Sequence, residues 1–131
     1  MLLLDSCTLL WWLAKEEALT PKVRKQLADA SQPVFVSVVS LWEVLVKHSR
    51  GKIRIDSGRA TAFDFLQKSI AAAGFEHIDL RPADIRHVSA LPSIHRDPFD
   101  RLLICQAIER GLTLVTPDPA IRRYPLKTLW E

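Results

Sequence analysis

Leu2 to Leu4 is an apolar run of strand length that stops at Asp5. Ser6 to Leu13 reads as a very apolar helix with Trp11 and Trp12 side by side, and Glu16 to Leu19 as a connection. Thr20-Pro21 is a helix start, with Thr as N-cap and Pro at the first helical position. The helix it opens is expected to reach Ala30, with Val23, Leu27 and Ala30 on one face. Beyond Pro33, Val34-Phe35-Val36 is rich in β-formers and predicts a second strand. Ser37 or Ser40 caps the following helix, which carries Leu41, Val44, Leu45 and His48 and ends at Gly51. Ile53 to Gly58 is a loop or short extended piece, and Arg59 to Ala73 predicts a helix with Phe63, Leu66 and Ile70 on one stripe, closed by Gly74.

Phe75 to Leu80 alternates as a third strand does, and Pro82 opens a helix to about Leu91. After a loop at Pro92 to Arg96, Asp97 precedes a helix from Pro98 to Arg110, stopped by Gly111. Leu112 to Thr116 is the strongest strand signal, Pro117 to Tyr124 a turn or short helix, and Leu126 to Trp130 a last, edge strand. Strands alternating with helices imply a parallel sheet covered on both faces. The expected fold is α/β: a three-layer α/β/α sandwich around a central, mostly parallel sheet of about four or five strands. No repeat, linker or low-complexity segment interrupts the pattern, so residues 1–131 are read as a single domain.

Composition narrows the class. At 131 residues, 48% hydrophobic and 25% charged, the chain has the profile of a globular protein and not of a disordered one. Cys7 and Cys105 lie in apolar segments without a second Cys or His at ligand spacing, which points to two buried thiols rather than a disulfide or a zinc site. The apolar start has no basic leader and is broken by Asp5, and no apolar stretch is long enough to span a bilayer, so a cytoplasmic protein without membrane contact is expected. The net charge of +3 is compatible with a polyanionic partner.

In an open α/β sheet the functional crevice lies beyond the carboxyl ends of the strands. Asp5 follows the first strand, Ser37 and Ser40 the second with Glu43 in the helix they open, and Thr116 and Asp118 the strong strand. Asp97 and Asp100 stand in the first turn of the helix before it. Each acid has a plain structural alternative. Asp5 suits a helix N-cap, Asp118 a turn between Pro117 and Pro119, and Asp97 with Asp100 a capping arrangement. Glu43 sits within Leu41-Trp42-Glu43-Val44-Leu45-Val46, where a buried carboxylate needs a partner; Lys47, one turn on, is the alternative to a site role. Carboxylates gathered at one sheet edge repel unless a cation lies between them, and Mg²⁺ or Mn²⁺ is the cation such ligands suit. That ion would support water attack on a phosphodiester.

The chain resembles the PIN-domain ribonucleases, and among them the VapC-type toxins of bacterial toxin–antitoxin pairs. The resemblance covers nearly the whole sequence. It is carried by Leu3-Leu4-Asp5-Ser6, by Ser37-Val38-Val39-Ser40-Leu41-Trp42-Glu43, by His95-Arg96-Asp97-Pro98-Phe99-Asp100-Arg101-Leu102-Leu103-Ile104 and by Leu114-Val115-Thr116-Pro117-Asp118. It implies a quartet of acids, Asp5, Glu43, Asp100 and Asp118, around one or two Mg²⁺ or Mn²⁺ ions. Asp97 is then helix cap first and outer ligand second, with the Ser6 and Thr116 hydroxyls in support. Relatives usually carry Thr at position 6, His or Asn at position 7 and a small or polar residue at position 117, where this chain has Ser6, Cys7 and Pro117. The implied reaction is endonucleolytic RNA hydrolysis by metal-activated water, leaving a 5′-phosphate and a 3′-hydroxyl. The implied partners are RNA, a second copy of the chain, and a small DNA-binding antitoxin that inhibits by entering the acidic site.

His95, Arg96, Arg101, Arg122 and Arg123 cluster in sequence around this site; Arg96, Arg101 and Arg122 are the candidates for gripping phosphate. The alternative for Arg101 is an ion pair that holds Asp100. Trp42 is expected in the core. Of the adjacent Trp11 and Trp12, one is expected to be buried and the other at an interface. Competing functions are a metal-dependent phosphatase or DNA nuclease of similar fold, and a non-catalytic binding module. An aspartyl phosphatase would favour an acid two residues after Asp5, where Cys7 stands. A receiver-like module would show paired acids after its first strand, and a degenerate binder would have lost part of the quartet.

Overall fold

The computed structural model describes residues 1–131. Five parallel strands form one sheet: β1 (Leu2–Leu4), β2 (Val34–Ser37), β3 (Glu76–Ile78), β4 (Thr113–Val115) and β5 (Thr128–Leu129), in spatial order β3-β2-β1-β4-β5. Leu4 of the central strand is in register with Val36 on one side and Val115 on the other, so Asp5, Ser37 and Thr116 leave the sheet at one level. β1 is buried along its whole length, as a parallel strand covered on both faces must be.

Six helices cover the sheet: α1 (Ser6–Ala14), α2 (Pro21–Ala28), α3 (Val38–Ser49), α4 (Ala62–Ala72), α5 (Pro82–Ile85) and α6 (Pro98–Arg110). Alternation along β1 divides the core. Leu2 and Leu4 join Leu9, Val23, Leu27, Val44, Leu66 and Ile70 on one face. Leu3 joins Val39, Leu103, Ile104, Ala107, Leu114, Ile121 and Tyr124 on the other. This is the expected three-layer α/β/α sandwich. No helix is long and apolar enough to cross a membrane.

The caps fall where local chemistry puts them. Thr20 accepts Val23 N–H at 3.1 Å, Ser37 accepts Val39 N–H at 3.0 Å, and Gly111 ends α6 at φ 64°. Several boundaries and burials differ from expectation. α2 stops at Ala28, two residues short of Ala30, because Asp29 accepts both the N–H and the hydroxyl of Ser31 and turns the chain. α4 starts at Ala62, not Arg59, because Thr61 is its N-cap; its Phe63 is exposed, and Leu66 and Ile70 carry the buried stripe. The helix expected from Pro82 to Leu91 breaks after Ile85 into a 3-10 turn at Val88–Ala90, where Arg86 and His87 both fold onto Glu109 and Arg101 takes the Val88 carbonyl. Trp42 is not in the core: it is 63% exposed, on the outward face of α3 with Val38.

Trp11 and Trp12 are both half-buried, so neither is the core residue expected of the pair. Each instead leans on its own aromatic partner: Trp11 on Trp130 at 5.8 Å, Trp12 on Phe75 at 5.6 Å. Both cysteines are free; Cys105 is buried as expected, while Cys7 is only partly so.

Candidate active site

Asp5 ends the central strand and begins α1. One oxygen, Oδ1, accepts Thr8 N–H at 2.8 Å, and the residue is 4% exposed. The Thr8 hydroxyl donates to the Val115 carbonyl at 2.9 Å, tying the start of α1 to the end of β4. Burial pushes the Asp5 carboxyl above its ordinary range, against the hydroxyls of Thr116 and Thr8 and the Thr8 N–H, which favour the charged form; the charge of Glu43 adds to the rise. Ser6 is buried beside it.

Glu43 is placed by the start of α3. The Ser37 hydroxyl donates to Gln106 Oε1 at 2.5 Å, and Gln106 Nε2 donates to the Asp79 carbonyl at 3.0 Å. Ser40 is fully buried behind the end of β1. Two turns into this anchored helix, Glu43 is 2% exposed. Its Oε2 meets Lys47 Nζ at 2.7 Å, the pairing considered as the alternative to a site role. Its Oε1 is buried with no hydrogen-bond partner, and its charge bears on both Asp5 and Asp100. The ion pair is thus only part of the environment of Glu43: one oxygen is left unpaired, and the charge of the group acts on Asp5 and Asp100.

α6 brings two acids with different duties. Asp97 Oδ1 accepts Phe99 N–H at 2.8 Å and Asp100 N–H at 3.3 Å, as an N-cap does. Asp100 takes no part in capping: its Oδ2 is 2.8 Å from His95 Nε2. Burial, followed by the charges of Asp97 and Glu43, pushes the Asp100 carboxyl up to about 7, with His95 opposing. On the far side, the Thr116 hydroxyl accepts Asp118 N–H at 3.1 Å and Asp118 Oδ1 accepts Ala120 N–H at 2.8 Å. Asp118 Oδ2 is left 3.1 Å from the same His95 nitrogen.

Asp5, Asp97 and Asp118 therefore do fill the capping and turn roles that each suits alone. In doing so they are fixed in position by one oxygen. The ligand-type atoms of His95, Asp100 and Asp118 lie within 4.8 Å of one another. Asp5 and Glu43 form no cluster that tight, but both carry charge that acts on Asp100. Lys47, its ammonium held protonated by Glu43 first and by Asp97 and Asp100 more weakly, is the near cation on the α3 side. A buried carboxylate oxygen without a partner, and two acids raised by burial and mutual repulsion, are what a hard divalent cation would relieve. The donor set fits Mg²⁺ or Mn²⁺.

The predicted arginines separate. Arg101 does not pair with Asp100; it donates to the carbonyls of Pro92 and Val88 and to the Tyr124 hydroxyl, bracing the loop that carries His95. Arg122 is exposed on the 3-10 turn Ile121–Arg123 after Asp118. Arg96 is exposed and, with Lys47, Arg50 and Lys52, lines a cleft of about 340 Å³ that Asp97 also borders. The central place of His95 and the bracing by Gln106 and Tyr124 were not anticipated. Gln106 carried the same signal as Glu43, a polar residue in an apolar helical stretch. His95 carried only the adjacency of a ligand-type side chain to Asp97 and Asp100.

An all-parallel sheet with carboxylates gathered beyond its central strands marks an α/β protein whose polar site lies at the carboxyl edge of the sheet. The PIN domain model matches residues 2–127, and the chain belongs to that family. It is 29% identical over 132 residues to Ribonuclease VapC22 of Mycobacterium tuberculosis, an alignment that takes in 98% of this chain and 97% of that one. Among solved structures it is similar to that of VapBC2 from Rickettsia felis bound to a DNA fragment from their promoter, with a TM-score of 0.71 and 18% identity over 99% of this chain and 98% of that chain. It is also similar to DNA-bound VapBC from Salmonella typhimurium, with a TM-score of 0.67 and 16% identity over 98% and 96%. At these identities the two structures speak for the fold.

Proposed function

We propose that residues 1–131 form one nuclease domain, a divalent-metal-dependent endoribonuclease that acts as the toxin of a toxin–antitoxin pair. The observation that carries this reading is the acidic edge: Glu43 has a buried, unpartnered oxygen, and its charge acts on the raised carboxyls of Asp5 and Asp100. The likeness to a relative named as a ribonuclease supports RNA as the substrate.

Asp5, Glu43, Asp100 and Asp118 would hold one or two Mg²⁺ or Mn²⁺ ions, with Asp97 as cap and outer ligand. When bound, such an ion acidifies water and stabilises charge on a phosphoryl oxygen. The chain's own contribution is placement. Asp5 and Asp118 are oriented by the N–H groups of Thr8 and Ala120, and Thr116 fixes the turn that carries Asp118. Lys47, Arg50, Lys52 and Arg96 would grip phosphates flanking the scissile one, and exposed Arg122 those on the other side. Arg101, occupied with the His95 loop, serves the substrate only through that loop. Cleavage would leave a 5′-phosphate and a 3′-hydroxyl.

The partner we infer is a small DNA-binding antitoxin, by likeness to the VapBC complexes, together with a second copy of this chain in the cytoplasm. Two apolar hollows are available to them: one of about 400 Å³ lined by Trp12, Leu27, Ala72 and Phe75, and one of about 190 Å³ at Val38, Trp42, Leu80 and Phe99. The test is cleavage of total RNA with Mg²⁺ or Mn²⁺ by wild type, Asp5→Asn and Asp100→Asn. Activity in wild type only, abolished by chelator, is expected; equal activity in all three, or activity in chelator, overturns the reading.

A further inference from the structure

The loop before α6 carries a nitrogen donor into the acidic edge. His95 Nε2 stands 2.8 Å from Asp100 Oδ2 and 3.1 Å from Asp118 Oδ2. Those are hydrogen-bond lengths, yet neither oxygen is aligned with the ring, and this buried nitrogen has no hydrogen-bond partner. A nitrogen close to two carboxylates and aimed at neither is arranged as a ligand atom is. Neighbouring ligand atoms around a six-coordinate cation with bonds of ~2.1 Å are ~3.0 Å apart, the spacing seen here.

The loop that carries the ring is held from behind. The backbone N–H of His95 donates to the Tyr124 hydroxyl at 2.8 Å, and Arg101 donates to the same hydroxyl at 3.4 Å and to the Pro92 carbonyl at 3.2 Å. Tyr124 is itself buried at 4% exposure. These bonds fix the backbone that carries the imidazole, and with it where the ring can reach. Glu43 is the independent sign that a cation belongs at this edge: a side chain 2% exposed whose Oε1 no protein group satisfies.

We propose that His95 is a nitrogen ligand of the cation that Asp100 and Asp118 bind, and that it shifts the site's preference from Mg²⁺ toward transition ions. Mg²⁺ favours oxygen and keeps its waters, whereas imidazole suits the later divalent ions of the first row. The inference rests on the metal site of the proposed function and adds to it a ligand outside the carboxylate quartet.

Calorimetric titration of the metal-free full chain with Co²⁺ and with Mg²⁺, in wild type and His95→Asn, reads the preference directly. The variant is expected to lose at least about tenfold in Co²⁺ affinity. Its Mg²⁺ affinity is expected to change by less than about threefold, since that ion gains little from nitrogen. Pulsed electron paramagnetic resonance of the Mn²⁺-loaded wild type should show a directly bonded nitrogen, independent of how the variant folds. Metal binding without that nitrogen signal overturns the His95 assignment and leaves the carboxylate site standing. So does an equal loss for both ions, or a gain for both, which would mark the imidazole as a competitor for the acids. A wild type that binds no divalent cation overturns the His95 assignment and the metal reading together.

Discussion

The ammonium of Lys47 lies 2.7 Å from one oxygen of Glu43, while the other oxygen of that buried carboxylate has no partner. A cation of the protein and a cation from solution would therefore share one carboxylate. Removing Lys47 should hurt the metal-free protein most. Lys47→Met is expected to cost about 1.5 kcal/mol in urea unfolding without metal, because a buried charge loses its charge-assisted hydrogen bond. Saturating Mn²⁺ should recover part of that loss. Glu43→Gln should leave metal-free stability equal or higher while abolishing metal-dependent cleavage. A Lys47→Met penalty unchanged by Mn²⁺ would show that Glu43 does not face the bound ion.

Asp100 sets a pH dependence whose sign is fixed by its surroundings. Its carboxyl is pushed up to about 7 by burial and by Asp97 and Glu43, and Asp5 moves the same way. In the unfolded chain an Asp titrates near ~3.9, so between those values the folded form holds the extra proton and stability falls as pH rises. Asp84, held low by Arg110, acts in the opposite direction but has finished titrating below this window. The metal-free protein should melt at a higher temperature near pH 5 than near pH 8, and saturating Mg²⁺ should flatten or reverse the difference. Scanning calorimetry at both values, with and without metal, is the check.

The basic cleft predicts a binding phenotype separable from chemistry. Arg50→Ala, Lys52→Ala and Arg96→Ala should each weaken single-stranded RNA binding. Each should lower the slope of log affinity against log salt by about 0.7 while leaving the single-turnover rate at saturating RNA near wild type. Salt-titrated filter binding gives the slope. An unchanged slope in all three would move the RNA path to the Arg122 side.

Far from the site, Arg110 clamps the 1%-exposed Asp84 through Nε at 3.1 Å and Nη2 at 2.8 Å, and Asp84 Oδ2 also accepts the Arg81 N–H at 2.8 Å. Arg110→Met leaves this buried carboxylate uncompensated and should cost about 3 kcal/mol. Cleavage below the melting temperature should be unaffected. Denaturant unfolding and an activity assay on one preparation check both halves.

What the sequence made legible was whatever local chemistry decides. Thr20, Ser37, Asp97 and Gly111 terminate their helices as their side chains or backbone freedom require, and Leu2–Leu4 ends at Asp5 because a polar residue cannot continue a fully buried strand. Contacts made across the fold were not legible. Trp42 reads as core in an apolar helix, but the sheet and α6 take the other faces of α3 and leave it outside. Asp100 reads as a site acid with a capping alternative, and in the fold its carboxylate lies 2.8 Å from His95 Nε2, a neighbour the local sequence does not announce. Arg101 reads as a phosphate grip, but carbonyls of the preceding loop claim it. Asp5, Asp97 and Asp118 each have a local capping or turn task that fixes their place in the chain; the environment they share with Glu43 and Asp100 depends on the register of β1 with β2 and β4.

Crystals soaked in Mn²⁺ should give an anomalous-scattering peak at the carboxyl edge of the sheet, within about 2.2 Å of Asp100 and Asp118 oxygens and with Asp5 and Glu43 joined directly or through water. A fully soaked crystal with no peak there, or with peaks only at surface carboxylates such as Asp56 and Asp79, would contradict the metal reading.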